Sequence, residues 1–448
     1  MNHKQSSSES GQVLVILVLV MVGLLAFTAL AIDGGILLAD RRGAQNAGDA
    51  AVLAGGFRIA NSLDDYVLDI QMDYESWDCD HPDMATATDY GVIDAVNKAD
   101  DNGYPIGTSG NITGSITVQC EQGLDMGSYE DKYVDTTAQI SSQVDTAFAH
   151  FAFDGPLLNS IIAISRVRPR MPLAFGYAIY AFGDGCGPGS DPGGINFDGG
   201  GGGGSVIVNG GGMFSNTCIT GNGGVDVIVN DGFGIGYLGD NECNGSNCSV
   251  SPAPTQQTEP LPDWALLFPE PDCSGLSSQP DPPNGTATIS RGIYDGFTVN
   301  GSDNLTLEPG LYCFTGNLNA TGGTITGEGV TIYMQSGGIN IGGGMDDVDL
   351  SAPGFVGEEE DGKAGMLIYM AEDNEGVISL TGNSNTTFTG VIFAANPDSE
   401  IDISGTADAV FNCQLIAGMV TVGGAAQITV NFDYGLVHKL PARLTLEK

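Results

Sequence analysis

The chain has 448 residues and a formal net charge of −41, from 14 Lys and Arg against 55 Asp and Glu. Because so few basic side chains cannot neutralise phosphates, the composition excludes an ordinary nucleic-acid-binding protein. A hydrophobic share of 42% excludes a disordered acidic tail. The 68 glycines lack a collagen period and favour a β-rich fold with many turns.

The first predicted element is a transmembrane helix. From Val13 to Ile32 the chain runs for 20 residues without a charged side chain, and a helix of that length spans a bilayer core of roughly 30 Å. The apolar region of a signal peptide is shorter, and this pattern continues helically past Asp33, so we predict an uncleaved anchor. Removal as a secretory signal is the alternative. The predicted divisions are a cytoplasmic leader at 1–12, the transmembrane helix at 13–38 and a helical extension at 39–62.

Two charge patterns disagree about the orientation of this helix. The positive-inside rule places Arg41 and Arg42 in the cytoplasm. The large acidic, cysteine-bearing chain that follows is instead typical of an exterior domain. We give the larger part more weight and predict a single-pass protein of the cell membrane whose C-terminal part is extracytoplasmic.

Small residues continue at helical spacing beyond the apolar run. Asp33 lies where the helix leaves the hydrocarbon, so we expect its carboxylate to reach interfacial water. Gly34 and Gly35 permit close approach of a neighbouring helix. The alanines at 44, 47, 51 and 54 predict either packing against another helix or a stalk helix covered by its own domain, and composition does not choose between them.

The stretch 9–56 resembles the N-terminal segment of Tad/Flp (type IVb) pilus-assembly proteins of the TadE/TadG-like group. In that group an E-x-G-Q leader precedes the membrane helix, an A-x-D-x-G exit follows, and an Arg-bearing helix ends in Q-x-A-A-D-A-A-A-L-A-G. Gly48 stands where the group usually has alanine. The matching residues here are Glu9, Gly11, Gln12, Asp33, Gly35, Arg41, Gln45, Asp49 and Gly55.

This resemblance implies a single-pass membrane protein with its C-terminal part outside, associated with pilus machinery and with other proteins of the Tad system as partners. Related pilins carry a glycine five residues before the matching glutamate, as a prepilin-peptidase site. This chain has Lys4 at that position. It therefore resembles the TadG-like members more than the pilin subunits.

Residues 63–181 predict a small α+β domain next to the membrane. The apolar spacing of 84–99, through Ala87, Tyr90, Ile93 and Val96, is typical of a helix. The alternating, β-branched stretch 114–120 predicts a strand.

The glycine-rich remainder repeats itself. "VIVN" at 206–209 recurs at 227–230, and 378–394 aligns without gaps with 401–417 and then with 420–436. The alignment places two sets of apolar residues in register: Phe388, Phe411 and Val430, and Ile378, Ile401 and Val420. A recurrence near 20 residues is typical of one coil of a parallel β-helix, in which equivalent side chains stack; a β-sandwich is the alternative.

We therefore predict a mainly-β right-handed parallel β-helix (solenoid) after the N-terminal helix and the α+β domain. Its coils occupy 182–250 and 286–440. A Pro-rich excursion at 251–285 packs across them, and 441–448 is a tail.

The nine cysteines fit extracytoplasmic disulfides better than a metal site, because none shows zinc-ligand spacing. Three pairs are candidates: Cys243 with Cys248 closing a small loop, Cys79 with Cys120 tying the α+β domain, and Cys273 with Cys313 bridging the excursion to a coil. An odd number leaves at least one thiol unpaired.

Acidic clusters are the main candidates for chemistry. Asp346, Asp347 and Asp349 are candidate calcium ligands, since hard cations favour carboxylate oxygens. The acidic run at 358–361 is typical of a solvated loop. We predict no catalytic residues and no cofactor, with structural calcium as the one exception.

The leading hypothesis is a membrane-anchored, surface-exposed structural protein associated with Tad/Flp-type pilus assembly, with adhesion to a surface or glycan as a further hypothesis. Its partners would be the membrane and other Tad proteins, and not nucleic acid. The alternative is a membrane-tethered β-helix carbohydrate-active enzyme, a lyase or glycosidase, which needs carboxylates converging on one sheet face.

Overall fold

The structure, a computed structural model, describes residues 10–65, 70–107, 110–148, 155–189, 192–200, 203–243, 248–354, 362–405 and 408–447. The chain divides into two compact units. Unit 1 comprises Met1–Leu124, Asp131–Pro169 and Ala442–Lys448, and unit 2 comprises Asp125–Glu130 and Arg170–Pro441.

The helices are α1 (Ser10–Leu63) and α2 (Pro82–Asp101), and short 3-10 turns span Leu173–Gly176 and Asp263–Leu266. The first strands are β1 (Asp64–Asp65), β2 (Ile70–Gln71), β3 (Ile112–Asp125), β4 (Glu130–Val144), β5 (Leu157–Arg168), β6 (Met171–Pro172), β7 (Ile179–Ala181), β8 (Gly194–Asp198), β9 (Ser205–Asn209), β10 (Met213–Ser215), β11 (Ile219–Asn222), β12 (Val225–Val229), β13 (Ile235–Tyr237), β14 (Cys248–Ser251) and β15 (Thr255–Gln256). The next are β16 (Thr286–Ile289), β17 (Gly292–Tyr294), β18 (Phe297–Val299), β19 (Asn304–Leu307), β20 (Gly310–Phe314), β21 (Leu318–Ala320), β22 (Thr324–Gly327), β23 (Val330–Met334), β24 (Ile339–Ile341) and β25 (Asp347–Ser351). The last are β26 (Met366–Met370), β27 (Val377–Gly382), β28 (Thr386–Ala394), β29 (Glu400–Gly405), β30 (Ala409–Ala417), β31 (Met419–Gly424), β32 (Gln427–Asn431), β33 (Lys439–Leu440) and β34 (Arg443–Glu447).

Unit 1 packs the C-terminal half of α1 against both α2 and a four-stranded sheet in the order β3-β4-β5-β34. One side of the helix meets α2, where Ala51 packs against Ala95 and Ala99. Another side meets the sheet, where Val52 packs against Ala138 and Ala163. This half of the helix is therefore a core element, stabilised by burial of its small apolar face.

The helix predicted at 84–99 is present as α2, but its buried face differs from the expected one. The buried residues are Met84, Ala87, Gly91, Ala95 and Ala99, whereas Tyr90 and Ile93 are exposed. Small residues are needed on the inner face because the helices approach closely. A Cβ on Gly91 would lie 2.5 Å from Cγ1 of Ile59.

The C-terminal stretch 441–448 is not a free tail within its described residues. Arg443–Glu447 form β34, which pairs antiparallel with β5 from Arg443 opposite Arg168 to Glu447 opposite Ile164. A strand so short and so distant in sequence from its partner carries no local signal of its pairing.

Unit 2 is built mainly from parallel strands, which confirms the prediction of a mostly-β C-terminal region. The strands lie in three columns. The first column runs β16-β19-β22-β25-β28-β30-β32-β9-β12-β14. The second runs β17-β20-β23-β26-β28-β30-β7-β10-β13-β15. The third runs β18-β21-β24-β27-β29-β31-β8-β11.

The register predicted from the repeats is the observed register. Phe388 pairs with Phe411, and Phe411 with Val430. Ile378 likewise pairs with Ile401, and Ile401 with Val420. These positions are fully or almost fully buried because alternate residues of each strand point to the same side.

The order of the columns departs from the order of the chain. The last strands of the columns in chain order, β30, β31 and β32, pair with the first, β7, β8 and β9. An asparagine ladder crosses this junction: the Nδ2 of Asn431 donates to Asn412 at 3.0 Å, that of Asn209 to Asn431 at 2.8 Å and that of Asn230 to Asn209 at 2.8 Å. The chain thus enters the columns in their interior.

The Pro-rich segment connects the two ends of the columns. Residues 257–285, which we call the strap, leave β15 at one end and reach β16 at the other. Trp264 lies 5.3 Å from the ring of Phe175, Phe268 lies 4.9 Å from Tyr369, and Gln279 donates its backbone N–H to Ile293 at 2.8 Å. The strap contacts successive levels of the columns in this order.

Four disulfides are formed. They join the three pairs considered from the sequence, Cys79–Cys120, Cys243–Cys248 and Cys273–Cys313. They also join Cys186 to Cys218, a pair the sequence did not suggest. Cys413 is a buried free thiol.

Candidate membrane anchor

The N-terminal half of α1 exposes a long apolar surface. Large hydrophobic side chains are exposed at almost every position from Val13 to Leu30, with Phe27 73% exposed. Among the described residues, α1 is the one helix that is long and apolar enough to cross a membrane. Its most apolar stretch is not buried inside the protein. The helix is continuous from this half into the core of unit 1.

Asp33 marks the change from the exposed to the packed half of α1. Its side chain does not face water as the sequence suggested, because only 4% of the residue is exposed. Its carboxylate accepts backbone N–H groups from Ala147 at 2.6 Å and from Phe148 at 3.1 Å. The carboxylate therefore fixes the chain that follows β4 beside the point where the apolar surface ends.

Asp40, two helical turns later, holds the same side of unit 1. The Tyr104 hydroxyl donates to its Oδ1 at 3.1 Å, Asn159 donates to its Oδ2 at 3.0 Å, and the Ser142 hydroxyl also donates to Oδ2. Burial, followed by the hydrogen bond and charge of Asp40, raises the pKa of Tyr104 to about 12. The sequence analysis overlooked Asp40, although its spacing of seven residues from Asp33 places both on one helical face.

We expect Asp40→Ala to destabilise the protein by about 3 kcal/mol, because hydrogen bonds to a charged group contribute about 1.5–3 kcal/mol each and are not fully additive. Asp49→Ala is the matched control, since its carboxylate bonds Gln45 on the same helix at 2.7 Å, and we expect about 0.5 kcal/mol there. Denaturant unfolding of the detergent-solubilised full chain measures both. Equal losses in the two variants would show that Asp40 does not hold unit 1 together.

Tyr104 also gives this cluster a pH dependence. Its pKa is raised to about 12 in the folded protein from the ordinary value of 10.0. The folded state therefore holds the phenol proton more strongly than the unfolded chain. Its contribution to stability is complete below pH 10 and is lost as the pH rises to about 12, and Asp40→Asn is expected to lower the Tyr104 pKa in a spectrophotometric titration.

The other residues of the family motif lie in different surroundings. Gly55 packs against α2, where an added Cβ would lie 2.8 Å from the Gly91 carbonyl oxygen. Arg41 is exposed, and an added Cβ on Gly35 would have no atom within 4 Å. The backbones of Gly11 and Gln12 lie within α1. Glu9 lies outside the described residues.

The small-residue face from 44 to 51 is covered by the protein's own unit. Ala44 and Ala47 pack against Ile140 and Ile161 of the sheet, and Ala51 packs against α2. Of the two interpretations that the sequence left open, the structure favours a stalk helix covered by its own domain.

The calcium candidates lie on or next to β25. Asp346, Asp347 and Asp349 are exposed, and Asp347 and Asp349 alternate with the buried Val348 and Leu350. Over the described part of the chain, no group of three or more His, Cys, Asp or Glu side chains is placed to hold a metal ion. The acidic run 358–361 lies outside the described residues.

A pocket in unit 1 bears on the enzyme alternative. It has a volume of about 360 Å³ and is lined by Gln71, Met72, Ser76, His81 and Asp83. The His81 Nδ1 accepts the backbone N–H of Asp83 at 3.3 Å, which caps α2. The Ser76 hydroxyl donates to Asp73 at 3.0 Å. Both side chains thus have structural partners in the turns that build this pocket.

Comparison with known proteins identifies the N-terminal segment. Residues 11–60 match the family model of Flp pilus-assembly TadE/G-like (Tad) proteins, which confirms the resemblance inferred for 9–56. No curated protein matches the chain. A solved structure that matches is the competence-associated pilin ComZ from Thermus thermophilus, at 11% identity over 78% of this chain and 90% of that chain. Its TM-score of 0.23 is too low to support an argument about the fold.

Proposed function

We propose that this chain, whose residues 11–60 carry a TadE/G-like segment, is a membrane-anchored structural protein of a Tad-type pilus system. The proposal rests chiefly on the division of α1 into an exposed apolar half and a half that packs in unit 1. An exposed run of this length is unfavourable in water and favourable in a bilayer. Other proteins of the pilus system are its proposed partners.

We further propose that unit 2 is a right-handed parallel β-helix. Three observations support a parallel β-helix: the chain visits the three columns in rotation for most of unit 2, its repeats are in register, and equivalent apolar residues stack. In this proposal the polar outer faces of the columns are displayed as an extended surface. Adhesion to a surface or glycan through those faces stays a prediction.

The proposed location of the large acidic part is outside the cytoplasm. Four disulfides support it, because such bonds persist in oxidising compartments. Arg41 and Arg42 directly after the apolar run argue for the opposite orientation.

Membrane fractionation with external protease tests anchoring and orientation together. We expect the chain to stay with membranes after alkaline carbonate extraction and to be digested in intact spheroplasts down to a short N-terminal fragment. A soluble chain whose N-terminus begins beyond Ile32 would overturn the anchor in favour of a signal peptide. A chain that resists protease until the cells are lysed would overturn the orientation.

A further inference from the structure

Beyond the apolar run, unit 1 exposes further apolar side chains at the membrane end of its packed part. Ile36 and Leu38 on α1 are exposed. Phe148 follows β4 and is 42% exposed, and Leu158 on β5 is 75% exposed. Exposed apolar side chains occur singly on most proteins, so their position relative to the helix decides what they mean.

The two aspartates of α1 show where these side chains lie along the helix axis. Phe148 donates its backbone N–H to Asp33, so it lies where the apolar run ends. Leu158 adjoins Asn159, which donates to Asp40, and Asp40 is about 10 Å further along the helix. The interfacial layer beyond each side of the hydrocarbon core is about 5–8 Å thick. Phe148, Ile36 and Leu38 therefore fall within that layer. β5 advances along α1 from Asn159 at Asp40 to Ser165 at Val52, so Leu158 lies about 3 Å nearer to the level of Asp33 than Asn159 does. Leu158 therefore falls at the outer edge of the layer.

Charge at this level identifies the partner. Arg41 and Arg42 are exposed just beyond Leu38, in a chain with a formal net charge of −41. A basic pair above an apolar surface fits the phosphates of lipid headgroups, because basic residues near the bilayer are attracted to an anionic membrane surface. Apolar side chains below basic ones are the order found at a bilayer interface.

We propose that the membrane end of unit 1 is a lipid-contacting surface, formed by Ile36, Leu38, Phe148 and Leu158 in the interfacial layer and by Arg41 and Arg42 at the headgroup phosphates. The proposal rests on α1 being a membrane anchor. It makes the bilayer, and not a second copy of the chain, the partner of this surface. It also gives the arginine pair a role that does not require a cytoplasmic location.

Site-specific labelling tests this surface in the full chain. Because Cys413 is buried and the other cysteines are paired, one added exposed cysteine accepts an environment-sensitive fluorophore selectively. The test positions are Phe148→Cys and Leu158→Cys, in vesicles of phosphatidylcholine and phosphatidylglycerol whose lipids carry bromine near the carbonyl region. Ile93→Cys is the control, because Ile93 is exposed on α2, whose neighbouring Gly91 contacts Ile59, about 39 Å along α1 from Asp33.

We expect quenching at 148 and 158 about threefold stronger than at 93, because only positions 148 and 158 lie in the interfacial layer or at its outer edge. Phe27→Cys, within the apolar run itself, distinguishes a failure of the lipid-contacting surface from a failure of the anchor. Quenching at 27, with quenching at 148 and 158 no stronger than at 93, would overturn the lipid-contacting surface and leave the anchor intact. Absence of quenching at 27 would overturn the anchor itself.

Two further results bear on the partner. Arg41→Ser with Arg42→Ser is expected to reduce quenching at 148 by about half in vesicles containing phosphatidylglycerol, because the attraction to phosphates is lost. Lys98→Ser, in the last turn of α2, is the control and should change nothing. Quenching at 148 that depends on protein concentration and not on the arginines would assign the surface to a second copy and overturn the proposal.

Discussion

Phe411→Ala is expected to lower the free energy of unfolding by about 4 kcal/mol, within the range measured when a buried Phe is truncated. Phe411 is fully buried, and its ring stacks on Phe388 with centroids 5.6 Å apart and an interplanar angle of 5°. On the other side it pairs with Val430. Truncation would therefore leave a cavity between levels of the column that rigid neighbouring strands cannot fill.

Val410→Ala is the control for this prediction, since Val410 is the adjacent residue on β30 and is 39% exposed. An exposed truncation is expected to cost about 0.5 kcal/mol or less. Denaturant unfolding of the detergent-solubilised chain, followed by circular dichroism of the strands, measures both variants. Similar losses for Phe411 and Val410 would mean that the column has no continuous apolar interior.

The register within unit 2 was predictable from sequence for a simple physical reason. In parallel strands with a fixed repeat, identical side chains stack, so a gapless alignment is also a list of neighbours. Phe388 with Phe411 and Ile378 with Ile401 follow directly. The alignment does not say which repeats are neighbours when other segments of the chain lie between them. The alignment therefore could not predict the pairing of β32 with β9.

The exposed apolar helix at the N-terminus was partly predictable in the same sense. A charge-free run of 20 residues locates the apolar half of α1 without knowledge of the rest. The partners of Asp33 and Asp40 depend on where β4 and β5 return to the helix, more than 100 residues later. No local pattern encodes such a return, which is why Asp33 was expected to face water and Asp40 was overlooked.

The disulfide of the strap carries the last prediction. Over the described residues the first column contains ten strands, so the strap connects levels separated by nine spacings of about 4.8 Å, roughly 43 Å. It lacks a sheet of its own over most of this path, and Cys273–Cys313 fixes it near the β16 end. Loss of this bond therefore adds more conformational entropy to the unfolded chain than loss of the Cys243–Cys248 bridge, which closes a shorter loop.

Replacing Cys273 and Cys313 by Ala is therefore expected to cost about 4 kcal/mol, and replacing Cys243 and Cys248 about 2 kcal/mol, from the closure entropies of loops with sequence separations of 40 and 5. Denaturant unfolding without added reductant, which keeps the other disulfides intact, measures the two double variants. Hydrogen exchange at the Gln279 amide, which bonds to Ile293, should accelerate only in the first. Equal costs, or an unchanged Gln279 amide, would mean that the strap is held by its aromatic contacts with Phe175 and Tyr369 and that the disulfide adds little.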